Sequence, residues 1–156
     1  VQVALFELKE YERAHGKVDG VLLLQPTSPF RSIKSVANSI KLFRDTGFKT
    51  IVGVAKSQGN PFFSFTINDD QLVPIPSHKW LKLRTQDLPL AFEVTGSIYL
   101  IHPKTLRKEK TFIPRNSVPV IIENAEESLD IDTIDEFKIA IRILKSKKFP
   151  CNKIRF

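Results

Sequence analysis

The sequence predicts an α/β fold in which helices enclose a mostly parallel sheet. Three features predict it. Residues 21–24 form an unbroken apolar run, Val21-Leu22-Leu23-Leu24, too short for a helix and free of polar alternation. Such a run reads as a strand buried on both faces, here the expected central strand. Residues 32–46 then carry Ile33, Val36, Ala37, Ile40 and Phe43 at helical spacing. A second apolar run, TIVGVA, follows at 50–55. Strand, helix and strand in that order imply parallel strands joined by a right-handed crossover.

Composition sets the outer bounds. At 156 residues the chain is one domain (1–156), with 42% hydrophobic and 26% charged residues, enough for a core of its own. No apolar run reaches membrane-spanning length, and the start VQVALFELKEYERAHG is too charged for a secretory signal. The expectation is a cytoplasmic protein without a membrane partner. A single cysteine, Cys151, excludes an internal disulfide and suits a reducing compartment; it reads as a buried or incidental thiol. The net charge of +7 raises nucleic acid as a partner. Its basic residues are dispersed, however, apart from Lys145, Lys147, Lys148, Lys153 and Arg155, and no interleaved basic–aromatic motif occurs. No nucleic acid is therefore expected.

The elements can be taken in order. Residues 1–16 repeat apolar positions at Leu5, Leu8 and Tyr11, and Gly16 ends the pattern as a C-cap would. After the first strand, the prolines of Gln25-Pro26-Thr27-Ser28-Pro29 hold the chain extended. Ser28 before Pro29 matches an N-cap and first helical residue. Gln25, Thr27 and Ser28 thus fall at the carboxyl edge of a strand, where ligands bind in open α/β sheets. Spacing alone leaves an ordinary strand–turn–helix junction equally open. Gly47 terminates the 32–46 helix.

Residues 60–80 read as a β-hairpin: PFFSFTI, a turn at Asn68-Asp69-Asp70, then QLVPIP. Phe62, Phe63 and Phe65 exceed the needs of so small a hairpin, and an exposed remainder would be an association surface. Residues 104–111 form a short charged helix between turns, with His102 structural. Asp130 and Asp132, two apart in Ser128-Leu129-Asp130-Ile131-Asp132-Thr133-Ile134-Asp135, would lie side by side if the segment were a strand. Paired carboxylates suit a hard cation such as Mg²⁺, although a solvated strand end has the same pattern. Thr133 and Glu136 fit a capping box that opens a last helix at 135–145, burying Phe137, Ile139, Ala140 and Ile143 or Leu144.

Four segments together resemble those of the acylneuraminate (nonulosonic acid) cytidylyltransferases, which make CMP-sialic acid and its bacterial relatives. QPTSPFR at 25–31 is similar to that family's QPTSPLR. Leu83-Arg84-Thr85-Gln86-Asp87-Leu88-Pro89 is similar to its RRQDLP, and Thr95-Gly96-Ser97-Ile98-Tyr99 to its NGAIY strand. Ser128–Thr133 is similar to its S-[IV]-D-I-D-T. The resemblance implies a three-layer, Rossmann-like nucleotidyltransferase sandwich with a protruding hairpin arm. It implies transfer of CMP from CTP to a sialic, pseudaminic or legionaminic type of acid, with release of pyrophosphate. Gln25, Thr27, Ser28, Arg84, Gln86, Thr95 and Gly96 would bind substrate, Gln25 meeting the sugar and Arg84 its anionic part. Asp130 and Asp132 would be the catalytic carboxylates and the Mg²⁺ ligands. Residues 60–90 would form an insertion for dimerisation and sugar binding in a homodimer. Thr85 and Thr95 depart from the family's arginine and asparagine, which leaves the precise sugar open.

Family members also carry a glycine- and lysine-rich loop that grips the triphosphate. Nothing in residues 1–156 matches it, and glycine totals six. The resemblance thus implies a chain without the CTP-binding segment, inactive by itself. A non-catalytic remnant serving binding or dimerisation is the alternative expectation.

Overall fold

A computed structural model describes residues 1–146; the expectations for Cys151, Lys147, Lys148, Lys153 and Arg155 fall outside them. The first helix, α1 (Gln2–His15), stops at Gly16, whose φ of 89° suits a residue without a β-carbon. Then come β1 (Val21–Leu23), α2 (Ile33–Asp45) and β2 (Ile51–Lys56). A hairpin of β3 (Phe65–Asn68) and β4 (Gln71–Pro74) precedes β5 (Phe92–Ile101). The chain continues through α3 (Pro103–Glu109), β6 (Val118–Ile121) and α4 (Ile134–Ser146).

The described strands form a four-stranded sheet in the order β1-β5-β2-β6 and a separate two-stranded sheet, β3-β4. β5 runs antiparallel to both β1 and β2, while β2 and β6 are parallel. β1, β2 and β6 therefore point one way and β5 the other. The crossover from β1 through α2 to β2 does join parallel strands, but β5 lies between them. This corrects two expectations. The pairing is mixed rather than mostly parallel, and the run at 21–24 lies at the edge of the described sheet. β5 lies inside the sheet between β1 and β2, and its last four residues, Ile98–Ile101, place apolar side chains in the core on both faces.

That alternation divides the core. Ile98 and Leu100 face one side with Phe43, Ile51, Val120 and Ile122, under α2. Tyr99 and Ile101 face the other, with Leu8, Leu106 and Phe112, under α1 and α3. Two helical layers thus enclose the sheet, as the predicted three-layer sandwich requires. Full burial of an Ile or Leu side chain contributes roughly 1.5–3 kcal/mol, so Ile51, Ile98, Ile101 and Leu106, all 0% exposed, anchor it.

Local chemistry explains the element ends. Ser32, not Ser28, caps α2: its hydroxyl accepts from the Ser35 N–H at 3.0 Å. At the start of that helix Ile33 is exposed, as is Ala37, so its buried stripe is narrower than its periodicity suggested. His102 caps α3, its Nδ1 accepting from the Lys104 N–H. The α4 capping box forms as predicted: the Thr133 hydroxyl accepts from the Glu136 N–H, and Glu136 Oε2 accepts from the Thr133 N–H at 2.8 Å. Of the residues that α4 was expected to bury, only Ala140 is; Ile143 is half-buried, and Phe137, Ile139 and Leu144 are exposed.

The hairpin turns through Asp69 and Asp70, at φ 47° and 58°, between the paired residues Asn68 and Gln71. Two successive positive φ values make the two-residue loop that matches strand twist. Phe62 packs on Trp80 at 4.6 Å, whereas Phe63 and Phe65 remain exposed.

Candidate functional site

The site is built where β5 breaks its regular pairing. Val52 pairs with Tyr99 and Val54 with Val94, so residues 95–98 oppose Gly53 alone. The bulge needs Gly96, at φ 71°. It also turns Thr95 and Ser97 inward. The Thr95 hydroxyl donates to Gly53 O at 3.2 Å and lies 2.7 Å from Ser97 Oγ; both residues are buried. Thr95, expected to bind substrate, spends its hydroxyl inside the sheet.

Against this bulge the loop after β1 folds down. Ser28 is fully buried, its hydroxyl 3.2 Å from Thr95 O and 3.1 Å from Asp130 Oδ1. A buried hydroxyl with two acceptors is satisfied, and here it ties the loop to both β5 and the segment before α4. Thr27 contributes its backbone: its carbonyl accepts from the Ile131 N–H at 2.9 Å. A β-carbon on Gly96 would meet Gln25 Oε1 at 2.7 Å, Asp130 Oδ2 at 2.8 Å and Ser28 Oγ at 3.0 Å. Gln25, Ser28, Gly96 and Asp130, drawn from three separate motifs, therefore converge on one point. Glycine is what lets them.

Asp130 and Asp132 do not lie in a strand. Their segment is a loop, so the side-by-side argument from strand geometry fails. Asp130 is half-buried against Ser28; Asp132 is exposed, and its N–H donates to Glu136 Oε2 at 3.0 Å. Glu136 accepts from the Thr133 hydroxyl and from the N–H groups of Asp132 and Thr133, which holds its pKa below the usual carboxylate value. Burial, and then the charge of Asp130, raise the pKa of Tyr99. Among the described residues no group of three or more His, Cys, Asp or Glu could hold a metal. Mg²⁺ does not require one: it binds through one or two carboxylates and fills its shell with water and substrate phosphates. Asp130 and Asp132 fit that donor set.

Arg84 and Gln86 stand apart. Arg84 pairs with Asp87 through two bonds, at 2.8 and 3.3 Å, on an exposed turn at Thr85–Asp87. No hydrogen bond or ion pair joins either residue to the Gln25–Ser28–Gly96–Asp130 group.

Two residues at the centre were not expected there. Arg31 donates from Nε to Ser97 O at 3.0 Å and from Nη2 to Gln25 O, clamping the loop onto β5. Burial lowers its pKa, with Glu127 acting in opposition. Buried Glu127 accepts from the Ser32 N–H at 2.9 Å. Arg31 lies within QPTSPFR, but bonds to backbone carbonyls leave no residue-type pattern to read.

A cleft of about 440 Å³ opens beside Asp130, lined by Lys56, Gln58, Glu93, Thr95, Ser128 and Glu136 among others. Lys56 and Glu93 reach it because the carboxyl end of β2 pairs with the start of β5. A second cleft, about 540 Å³ and more apolar, lies along α1 and β1. Among the described residues no helix is long and apolar enough to cross a membrane.

No protein-family model matches the chain. A solved 4-diphosphocytidyl-2C-methyl-D-erythritol synthase from Anaerococcus prevotii superposes on 89% of this chain and 64% of its own, with a TM-score of 0.54 and 13% identity. That likeness is one of fold alone, an α/β sandwich. A CMP-N,N'-diacetyllegionaminic acid synthase of Legionella pneumophila is 29% identical over 81% of this chain. N-acylneuraminate cytidylyltransferases of Escherichia coli and Streptococcus agalactiae are 27% and 24% identical over 80% and 83% of it. The chain spans 54% of the first of these proteins and 30% and 31% of the other two. The resemblance carried by the four motifs is thereby borne out: this chain is a homologue of the acylneuraminate and legionaminic acid cytidylyltransferases.

Proposed function

We propose that this chain supplies the sugar-side half of a cytidylyltransferase that transfers CMP from CTP to a nonulosonic acid. The observation that carries the proposal is the convergence of Gln25, Ser28 and Asp130 around Gly96. Packing alone does not require a buried serine to steer a half-buried carboxylate toward a cleft. The names of the three curated relatives support the same chemistry.

In the proposed reaction the anomeric hydroxyl of the sugar acid attacks the α-phosphorus of CTP. The bond to the bridging oxygen breaks, pyrophosphate leaves and the hydroxyl proton is released. Such transfers depend on positioning and on neutralising charge. Gln25 offers an amide donor and acceptor to sugar hydroxyls. Ser28, buried and bonded to Asp130, fixes the carboxylate's direction. Arg31 fixes the loop that carries Gln25. Asp130 and Asp132 would hold Mg²⁺, which when bound supplies Lewis-acid polarisation of the phosphates. Residues 60–90 serve as a dimerisation arm, presenting Ile67 and Leu72 at 73% and 66% exposure.

Pyrophosphate release from CTP with a panel of nonulosonic acids tests the reading. Residues 1–156 alone should show negligible turnover, because no glycine- and lysine-rich loop holds the triphosphate. The complete enzyme should turn over, and Asp132→Asn there should cut kcat by roughly a hundredfold or more, as for loss of a positioned electrostatic group. Full turnover by residues 1–156, or an unimpaired Asp132→Asn enzyme, would overturn it.

A further inference from the structure

We propose that Glu136 is a positioning residue that holds Asp132 ready for the metal; this rests on the cytidylyltransferase reading above. Glu136 Oε2 accepts three hydrogen bonds: from the Thr133 N–H at 2.8 Å, the Thr133 hydroxyl at 2.8 Å and the Asp132 N–H at 3.0 Å. A capping box asks only for the first of these from its glutamate. The bond to Asp132 reaches one residue further back, onto a carboxylate placed above as a Mg²⁺ ligand. Glu136 thus does more than start a helix.

The segment needs such a hold. Residues 130–133 belong to no strand or helix, so no ladder fixes their backbone. Asp130 is held through its side chain, which accepts from the Ser28 hydroxyl at 3.1 Å. Ile131 is held through its N–H, which donates to Thr27 O at 2.9 Å. Both ties run to the loop after β1. Asp132 has neither; among the described residues its one hydrogen bond is the N–H bond to Glu136. Its carboxylate forms no hydrogen bond or ion pair among them. A fixed backbone with a free carboxylate suits a ligand that must meet a cation without first being ordered. Glu136 itself stands on the first turn of α4 and lines the cleft beside Asp130. One side chain therefore ties the helix, the metal segment and the cleft together.

The test titrates the complete enzyme with Mn²⁺ and follows the paramagnetic resonance of the free ion, so that no turnover is needed. Glu136→Ala should weaken Mn²⁺ binding about tenfold or more, the usual cost of removing a group that orients a metal ligand. Glu136→Gln keeps an acceptor oxygen and should restore most of the affinity. Thr133→Ala removes the cap hydroxyl, so it should lower Tm and keep the affinity. In an Asp132→Asn background Glu136→Ala should cost nothing further, because it acts through that carboxylate. Should Glu136→Ala not fold, Glu136→Asp, too short to reach the Asp132 N–H, replaces it with the same expectation. Unchanged affinity in that variant overturns the inference. So does an equal loss in Glu136→Gln, since charge rather than the hold on Asp132 would then matter. An equal loss in Thr133→Ala, or a further loss in the Asp132→Asn background, also overturns it. These results leave cytidylyl transfer standing. A wild-type enzyme that binds no Mn²⁺, or an Asp132→Asn enzyme that binds it equally well, removes the metal assignment and this inference with it.

Discussion

One methyl group at Gly96 tests the assembled site. Gly96→Ala places an L-residue at φ 71°, a left-handed conformation that costs roughly 1–2 kcal/mol. The new carbon would lie 2.7 Å from Gln25 Oε1, 2.8 Å from Asp130 Oδ2 and 3.0 Å from Ser28 Oγ. Close carbon–oxygen contacts lie at about 3.3 Å or more, so the first two oxygens must retreat by roughly 0.5 Å. Gln25 can swing its amide aside. Asp130 and Ser28 hold each other at 3.1 Å, and separating them forfeits about 1 kcal/mol more. The sum, roughly 2–3 kcal/mol, lowers Tm by about 4–12 °C in a domain of this size. Displacing the carboxylate also costs activity, up to ~100-fold for a 1 Å error. Gly47→Ala is the control. Gly47 shares the positive φ, at 68°, but has nothing within 4 Å of its added carbon. It should lose only the backbone share and keep full turnover. Melting curves and pyrophosphate release, both on the complete enzyme carrying each substitution, decide the matter. Equal Tm losses with unchanged turnover in Gly96→Ala would refute the convergence argument.

Two further outcomes are expected. Glu136 has a folded pKa below its unfolded value, so the stability it contributes is present above the unfolded carboxylate pKa, about 4.3, and is lost as pH falls through the folded value. The Tm difference between wild type and Glu136→Gln should be widest near neutral pH and close in acid; a constant gap from pH 7 to pH 3 would contradict it. Sedimentation of the complete enzyme should show a dimer that Ile67→Asp dissociates, because Ile67 and its cross-strand partner Leu72 are exposed apolar residues on the hairpin. A wild-type monomer at all practical concentrations would count against the arm.

Local patterns carried much of this molecule. The 3.6-residue period located α1 and α2, apolar runs located β1 and β2, and the Thr133–Glu136 pair fixed the start of α4, because each depends on neighbours in the chain. Gln25, Ser28, Gly96 and Asp130 likewise all lie within the motif words. What tertiary structure decided was everything set by partners distant in sequence. β5 rather than β1 became an interior strand, since sheet order is set by pairing between strands far apart in sequence, here β5 with both β1 and β2. Ser28 stopped being a helix cap and became a buried link to Asp130, because Ser32 offers the same cap closer to α2. Asp130 and Asp132 left the strand they seemed to share, as a backbone bond from Ile131 to Thr27 ties their loop to another segment. Arg31 and Lys56 gained their places only from folding, for a bond to a backbone carbonyl and a position on a cleft wall leave no mark in residue type.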